Sequence, residues 1–387
     1  MVVVMHMSAL KNTFVWSPTH IQGLSVRGEQ VAPVITKQDV TEILPGLDVW
    51  DMWPLALRDG HNAIFNGATL WFALTAAQFP DPVERHAHAR IRLLVQTGKV
   101  WKDAGMLFEA GFAPGSRDWS GSAIFDPDTA QVTLFFTAAG RAGEVSHTVE
   151  QRLFITTGTL KTESDLPRIV GWSTPHEFIK SDDDLYVLAN QAEGIPGQVK
   201  AFRDPAYFRD PADGYEYVLF AASYKPSMHQ HNGMIGIARA QDKAFVNWSL
   251  LAPLVLADGL CNELERPHVV MHKGLYYVFW STQASVFAPN GPVGPTGLYG
   301  MVGESLFGPY RLLNGSGLVL ANPPQEPFQA YSWWVMGDLS VTSFVDYWGL
   351  QGRALAQYPD LVRAQFGGVP APFVRLWLED DRAGVEQ

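Results

Sequence analysis

The strongest constraint on this chain is a rhythm. Short apolar or alternating runs, each the length of one β-strand, recur along most of it with turn residues between them rather than helices. They are TLWFALT at 69–75, ARIRLLVQ at 89–96, QVTLFFT at 131–137, QRLFITTG at 151–158, LYVLAN at 185–190, YEYVLFAAS at 215–223, GMIGIARA at 233–240, LYYVFWST at 275–282, GLYGMVG at 297–303 and FVRLWLE at 373–379. Runs of this length, bounded by signals such as FDPDTA, DPADG and HKG, predict strands. Only short stretches near 82–90 and 354–366 carry any helical apolar period. Strands that recur in this way predict an all-β sandwich, barrel or propeller rather than a parallel α/β sheet. The 35 Gly, 26 Pro, 22 Phe, 13 Trp and 12 Tyr support the same class, because Gly and Pro punctuate turns and aromatics favour pleated surfaces. No WD- or kelch-type repeat is visible, so periodicity does not count blades. Nor does a linker or charge run divide the chain. One domain is expected over 41–387, with an N-terminal extension over 1–40, carrying Trp16, packed across its surface.

Charge narrows the function. The formal net charge is −11 and no stripe of Lys or Arg is present, which argues against nucleic acid and against an anionic membrane surface. No stretch reaches the apolar length of a membrane span, and the opening MVVVMHMSAL lacks the basic leader and long apolar segment of a secretory signal. A neutral sugar suits an acidic, Trp-rich protein, since aromatic faces stack on sugar rings and carboxylates accept hydroxyl hydrogen bonds. The one cysteine, Cys261, excludes a disulfide within the chain. His86 and His88, like His229 and His231, have a spacing that suits a metal pair, but no third ligand accompanies either pair. They read as loop histidines, and no metal or cofactor is expected.

Four acidic motifs carry the chemistry. In VWDMWPL at 49–55, Asp51 sits between Trp50 and Trp53; a carboxylate among indoles is either bonded into a turn or placed to react. DWSGSA at 118–123 offers Trp119 as a stacking face and Ser120 as a short polar contact, and taken alone reads as a turn before the strand ending at Phe125. FRDP occurs twice, at 202–205 and 208–211. The second copy runs into ADG and reads as a hairpin turn, so chemistry is assigned to Arg203 and Asp204 in the first, where Pro205 stiffens the following turn. In NELERPH at 262–268, Glu263 and Glu265 are two apart and share a face of an extended segment. Two close carboxylates cannot both ionise easily, so one is pushed toward holding a proton near neutral pH, and that role is expected of Glu265. A nucleophile and an acid about 5 to 5.5 Å apart are what retaining glycoside hydrolysis needs.

With these motifs in view, the sequence resembles glycoside hydrolase family 68, the levansucrases, inulosucrases and their β-fructofuranosidase relatives. The motifs appear in family order from Trp50 to about Asp346: VWDMWPL, FNG at 65–67, DWSGSA, AFRDP, ELERPH, GLYG at 297–300, FGPY at 307–310 and PFQAYS at 327–332. The resemblance implies a five-bladed β-propeller with a central funnel-shaped pocket. It implies a sucrose-cleaving fructosyltransferase that releases glucose and passes the fructosyl unit to sugar acceptors or water. Asp51 is then the nucleophile, Glu265 the general acid/base and Asp204 the transition-state stabiliser. Trp50, Trp119, Ser120, Arg203, Glu263 and Tyr331 fall where the family holds sucrose. The family further implies action outside the cell, although no export signal is readable and a cytoplasmic site stays open.

Three positions depart from the family pattern. Gln283 stands where polymer-forming relatives show His or Arg on the leaving-group side, which bears on acceptor preference and product length. Phe220-Ala221-Ala222 replaces a motif that commonly carries an acid. Asn262 stands where Gram-positive members have a calcium-site acid, so no structural calcium is expected. Two alternatives stay open: a mainly hydrolytic β-fructofuranosidase, and a carbohydrate-binding propeller that returns sucrose intact.

Overall fold

The structure, a computed structural model, describes residues 10–162, 166–194, 197–353 and 355–386; most of the opening MVVVMHMSAL, and residue 354 of the stretch at 354–366, lie outside these. The chain is all-β. Nine of the ten apolar runs form strands, and most of these are paired on both edges. The second and third strands of the first meander, Ala68–Ala77 and Arg90–Thr97, are typical, with Leu70, Phe72, Leu74, Ile91 and Leu93 buried. A strand packed on both faces has no solvent side, which explains the continuous apolar run LWFAL at 70–74, whereas Arg90, Arg92 and Gln96 of the next strand stay half-buried. The tenth run, LYVLAN, is a correction: it carries only an isolated bridge between Tyr186 and Tyr224. The Asp182 carboxylate accepts from the backbone N–H groups of Asp184, Leu185 and Tyr186, and this local turn competes with the sheet.

Among the described residues the strands form five antiparallel meanders. Their first strands are Leu47–Leu57, Arg117–Asp126, Phe202–Arg209, Glu265–His272 and Ala330–Val335. Each of these touches the next, and the last touches the first, so the five close a ring around a channel. The strands at 47–57 and 117–126 also pair in parallel, Leu55 with Ala123, which joins two meanders into one sheet. Closure between the fifth and first meanders is reinforced by Arg363, whose two terminal nitrogens donate to the buried Asp48 carboxylate at 2.8 and 2.9 Å. Helix is confined to short pieces. The stretch near 82–90 is a 3-10 turn, Pro82–Ala87, and the one near 354–366 holds a single α-turn, Leu361–Ala364.

The N-terminal segment lies across the third, fourth and fifth meanders. Phe14–Val15 pairs in parallel with Val255–Leu256, and Gln30 donates to the Leu318 carbonyl. Trp16 is fully buried against Trp280, Phe287 and Tyr299. No helix among the described residues is long and apolar enough to cross a membrane.

Candidate active site

All five first strands carry an irregularity at the same place. Two residues of the inner strand face one of its neighbour between Trp50 and Trp53, Arg203 and Ala206, Glu265 and His268, and Tyr331 and Trp334; between Trp119 and Gly121 the single residue Ser120 has none opposite. Each is a one-residue bulge, a device that bends a strand and re-aims its side chains. In four of the five the bulge contains a residue with left-handed backbone, Asp51, Asp204, Arg266 or Ser332, which is uncommon for non-glycine residues and tends to mark functional sites. Pro205 and Pro267 lie in two of the bulges, where a missing N–H costs no ladder bond. The turn expected after Asp204 is therefore this bulge, and DWSG likewise belongs to the strand Arg117–Asp126 rather than to a turn before it.

The bulges converge on a cavity of about 310 Å³ at one end of the channel. Trp50, Asp51, Trp119, Arg203, Asp204, Glu263, Glu265, Gln283 and Tyr331 all line it. Ser120 does not: fully buried, it donates to Asp204 Oδ1 at 2.7 Å and so bears on the pocket through that carboxylate. Asp204 also accepts from the Arg266 backbone N–H at 3.2 Å, while its own N–H donates to Thr137 Oγ1 at 2.9 Å.

Arg203 organises the acid pair. One guanidinium nitrogen donates to Glu263 Oε1 at 2.9 Å and to Glu265 Oε1 at 2.8 Å, while another reaches Gln151 Oε1 at 3.2 Å. The second oxygen of Glu265 accepts from the Tyr331 hydroxyl. The two glutamates thus share a side, as their spacing implied, and meet one cation there. Burial and then the charge of Glu265 push the Glu263 carboxyl up to about 7, against the pull of Arg203. Glu263 is the deeper of the two, and burial is the larger cause of its shift.

Burial also raises the remaining carboxyls. Asp204 is pushed up to about 6 by desolvation and by the charges of Glu265 and Asp51, with Arg203 and Ser120 opposing. Asp51 is raised by burial, while Arg266 and the Ser332 hydroxyl favour its ionised form, as Arg85 does more weakly. Arg266 is held by Ser332 through its carbonyl at 2.8 Å and its hydroxyl at 2.9 Å, and by the Met52 carbonyl. A fixed cation thus stands beside the nucleophile candidate.

Sequence reasoning missed Arg85, His86, Arg266, Ser332 and Asp346, all of which line the cavity. Arg266 and Ser332 were within reach, since they sit inside ELERPH and PFQAYS. Arg85 and His86 lie on the 3-10 turn, where nothing local signals a channel. Arg85 is buried with its guanidinium over the Trp50 ring at 5.3 Å, and Asp346 is pushed up to about 6 by burial, against the pull of Arg85.

The departures have visible settings. Gln283 lines the cavity just before the 3-10 turn Ala284–Val286. Ala221 is the strand partner of Arg203, so the missing acid would have stood beside that arginine. At Asn262 the Lys200 ammonium donates to Asn262 Oδ1 at 3.1 Å, to Asn232 Oδ1 at 2.6 Å and to the Gln230 carbonyl. A neutral donor set already holding an ammonium does not fit a divalent cation, which requires carboxylates and the same oxygens.

The sequence profile of the levansucrase/invertase family matches residues 7–232 and 225–387. A levansucrase of Pseudomonas savastanoi pv. glycinea is 30% identical over 413 aligned residues, spanning 96% of this chain and 90% of that protein. A levansucrase of Zymomonas mobilis subsp. mobilis is 35% identical, spanning 88% of this chain and 82% of that protein. Among solved structures, an inulosucrase from Halalkalicoccus jeotgali bound to kestose matches with a TM-score of 0.88 at 38% identity, covering 96% of this chain and 95% of that one. A levansucrase from Gluconacetobacter diazotrophicus shares the fold, with a TM-score of 0.82 at 24% identity over 97% of this chain and 90% of that one.

Proposed function

The chain belongs to the levansucrase/invertase family, glycoside hydrolase family 68, and from that we propose how its pocket performs the family's reaction. The protein is a sucrose-cleaving fructosyltransferase that releases glucose and passes the fructosyl unit to a sugar acceptor or to water. We read the five meanders as the blades of a five-bladed propeller, with residues 1–40 an extension on a single domain. We read its action as outside the cell, a reading the family relationship supports.

One observation carries the mechanism: Asp51, Asp204 and Glu265 converge on one cavity from three different bulges. Asp51 attacks the anomeric carbon of the fructosyl unit, and the carbon–oxygen bond to glucose breaks as Glu265 donates its proton to the departing oxygen. Arg203 and Tyr331 hold Glu265 in place for that transfer. Positive charge builds on the fructosyl ring in the transition state, and Asp204 stabilises it through the ring hydroxyls. Glu265, now a base, takes a proton from water or an acceptor hydroxyl, whose oxygen displaces Asp51 from the anomeric carbon. Trp50 and Trp119 supply stacking faces, and Glu263 and Arg203 bond the glucosyl side.

The binding-only alternative gives way to an enzyme on the family relationship. Between transfer and hydrolysis, Gln283 favours short products and free fructose, because a neutral amide lacks the charge-assisted bond with which Arg or protonated His holds an acceptor. Mass spectrometry of enzyme quenched during turnover of sucrose tests the mechanism. The peptide carrying Asp51 gains one anhydrofructosyl unit; an adduct on any other residue, or none with the wild type under rapid quench, rejects the assignment.

A further inference from the structure

Among the groups lining the cavity, His86 stands apart. It lies on the 3-10 turn Pro82–Ala87, whose start is secured by Asp81 accepting from the Val83 N–H at 2.9 Å. His86 and His88 do not act as a pair: His88 stacks on Phe79 at 4.6 Å, whereas His86 lines the cavity. The His86 ring meets the Trp50 ring edge to face at 6.0 Å, and its backbone carbonyl accepts from the Trp119 indole N–H at 3.4 Å. It is thus fixed on the wall between the two tryptophans.

The tautomer follows from geometry. His86 Nδ1 lies 2.9 Å from the Val83 carbonyl oxygen, which can only accept, so Nδ1 carries the proton and Nε2 is left with a free lone pair. Nε2 has no hydrogen-bond partner among the described residues. Burial, and then the guanidinium charges of Arg85 and Arg203, hold the imidazole down to about 3, against the favourable bond to Val83, so the ring stays neutral over any working pH. The arginines around it are donors only. The wall therefore presents a fixed, neutral acceptor at a place where a polyhydroxylated ligand must bind.

We propose that His86 is a substrate-contacting residue whose Nε2 accepts a hydrogen bond from a hydroxyl of the bound saccharide on the wall between Trp50 and Trp119. The proposal deepens the sucrose reading and rests on it. Two substitutions separate the ring's nitrogens. His86→Asn keeps an N–H near the Val83 carbonyl but removes the acceptor at Nε2, and His86→Gln places an amide oxygen near the Nε2 position. Losing one net hydrogen bond corresponds to a KM for sucrose about three- to tenfold higher in His86→Asn, with kcat changed by less than about twofold. His86→Gln is expected to stay within about twofold of the wild type. A monodeoxy sucrose series provides a second measurement: one member raises the wild-type KM as His86→Asn does, and adds nothing further in that variant. Glucose release by the wild type reports on the sucrose reading by itself, while the KM ratios report on His86. An unchanged KM in folded His86→Asn, an equal rise in both variants, or additive effects for every deoxy sugar would overturn the proposal.

Discussion

The tetrapeptide FRDP occurs twice on one strand, six residues apart, and the two copies meet opposite fates. The strand Phe202–Arg209 starts in the first copy and ends in the second, a separation of roughly 20 Å along an extended chain. In the first, the bulge between Arg203 and Ala206 turns Asp204 into a left-handed conformation and aims both charged side chains at the cavity. In the second, Arg209 is exposed, and Asp210 is equally buried but spent locally. Its carboxylate accepts from the Ala212 N–H at 2.9 Å and the Tyr276 hydroxyl at 2.6 Å, and its backbone carbonyl accepts from the Gly214 N–H at 2.8 Å. This Asp closes a turn and does not line the cavity. An Asp held at the edge of a cavity by Ser120 and the Arg266 N–H keeps its charge where a reacting ring can meet it.

The largest effects should come from the groups that join Asp204 at the channel end. Asp51→Asn and Glu265→Gln are each expected to abolish glucose release with unchanged thermal melting. Near-normal turnover in either folded variant would remove the covalent mechanism, and with it the reason for separating the two copies of FRDP.

Asp204→Asn should lower kcat by orders of magnitude while KM moves little, because its charge acts mainly on the transition state. Asp210→Asn should leave kcat within about twofold and lower the melting temperature by a few degrees, since it loosens a buried turn. The reverse pattern, read by steady-state kinetics and calorimetry, would exchange the roles of the copies.

A smaller effect probes the electrostatics. With Asp204 raised to about 6 and its ionised form required, kcat/KM should fall as pH drops through about 6. Ser120→Ala removes a bond that favours the ionised carboxylate, so the acid limb should move upward by about half a unit or more. Tyr276→Phe, which takes the matching hydroxyl from Asp210, should leave the limb in place. Stability responds to pH in the opposite direction from activity. The folded state holds the proton more tightly than the unfolded chain, so the Asp204 contribution is present below about 4 and lost as pH rises through about 6.

The smallest effect belongs to the rim. Gln283→His should raise the share of fructosyl passed to sugar acceptors over that lost to water, measured as free fructose against free glucose on concentrated sucrose. Abundant long polymer from the wild type, unchanged by the substitution, would take Gln283 out of the account.

What could be read from the residues divides along the sheets. The middle strands were legible because both faces are packed and most edges are paired, so their centres, LWFAL at 70–74 and LFF at 134–136, are apolar throughout. Of the five first strands only the end of 117–126 and the extended segment at 262–268 were legible, because these strands border a channel and carry Asp, Arg, Glu and Pro where a packed strand carries Val or Leu. They were found instead as motifs, which is why Asp51, Arg203, Asp204, Glu263, Glu265 and Tyr331 could be named while their shared bulge could not. That bulge is the internal repeat the sequence conceals: Trp-Asp, Trp-Ser, Arg-Asp, Glu-Arg and Tyr-Ser have no common side chain, only a common extra residue relative to the neighbouring strand. LYVLAN failed the other way, its apolar pattern losing to a local Asp182 turn. By itself, then, the sequence determined the all-β class, the family and the acidic motifs, because burial pattern and residue chemistry are local. Only the tertiary structure decided that Ser120 serves Asp204, that burial raises Glu263, and that Arg85, His86 and Asp346 face the cavity. Pairing register, depth and the closing of a ring depend on residues far apart in the chain, and no local pattern encodes them.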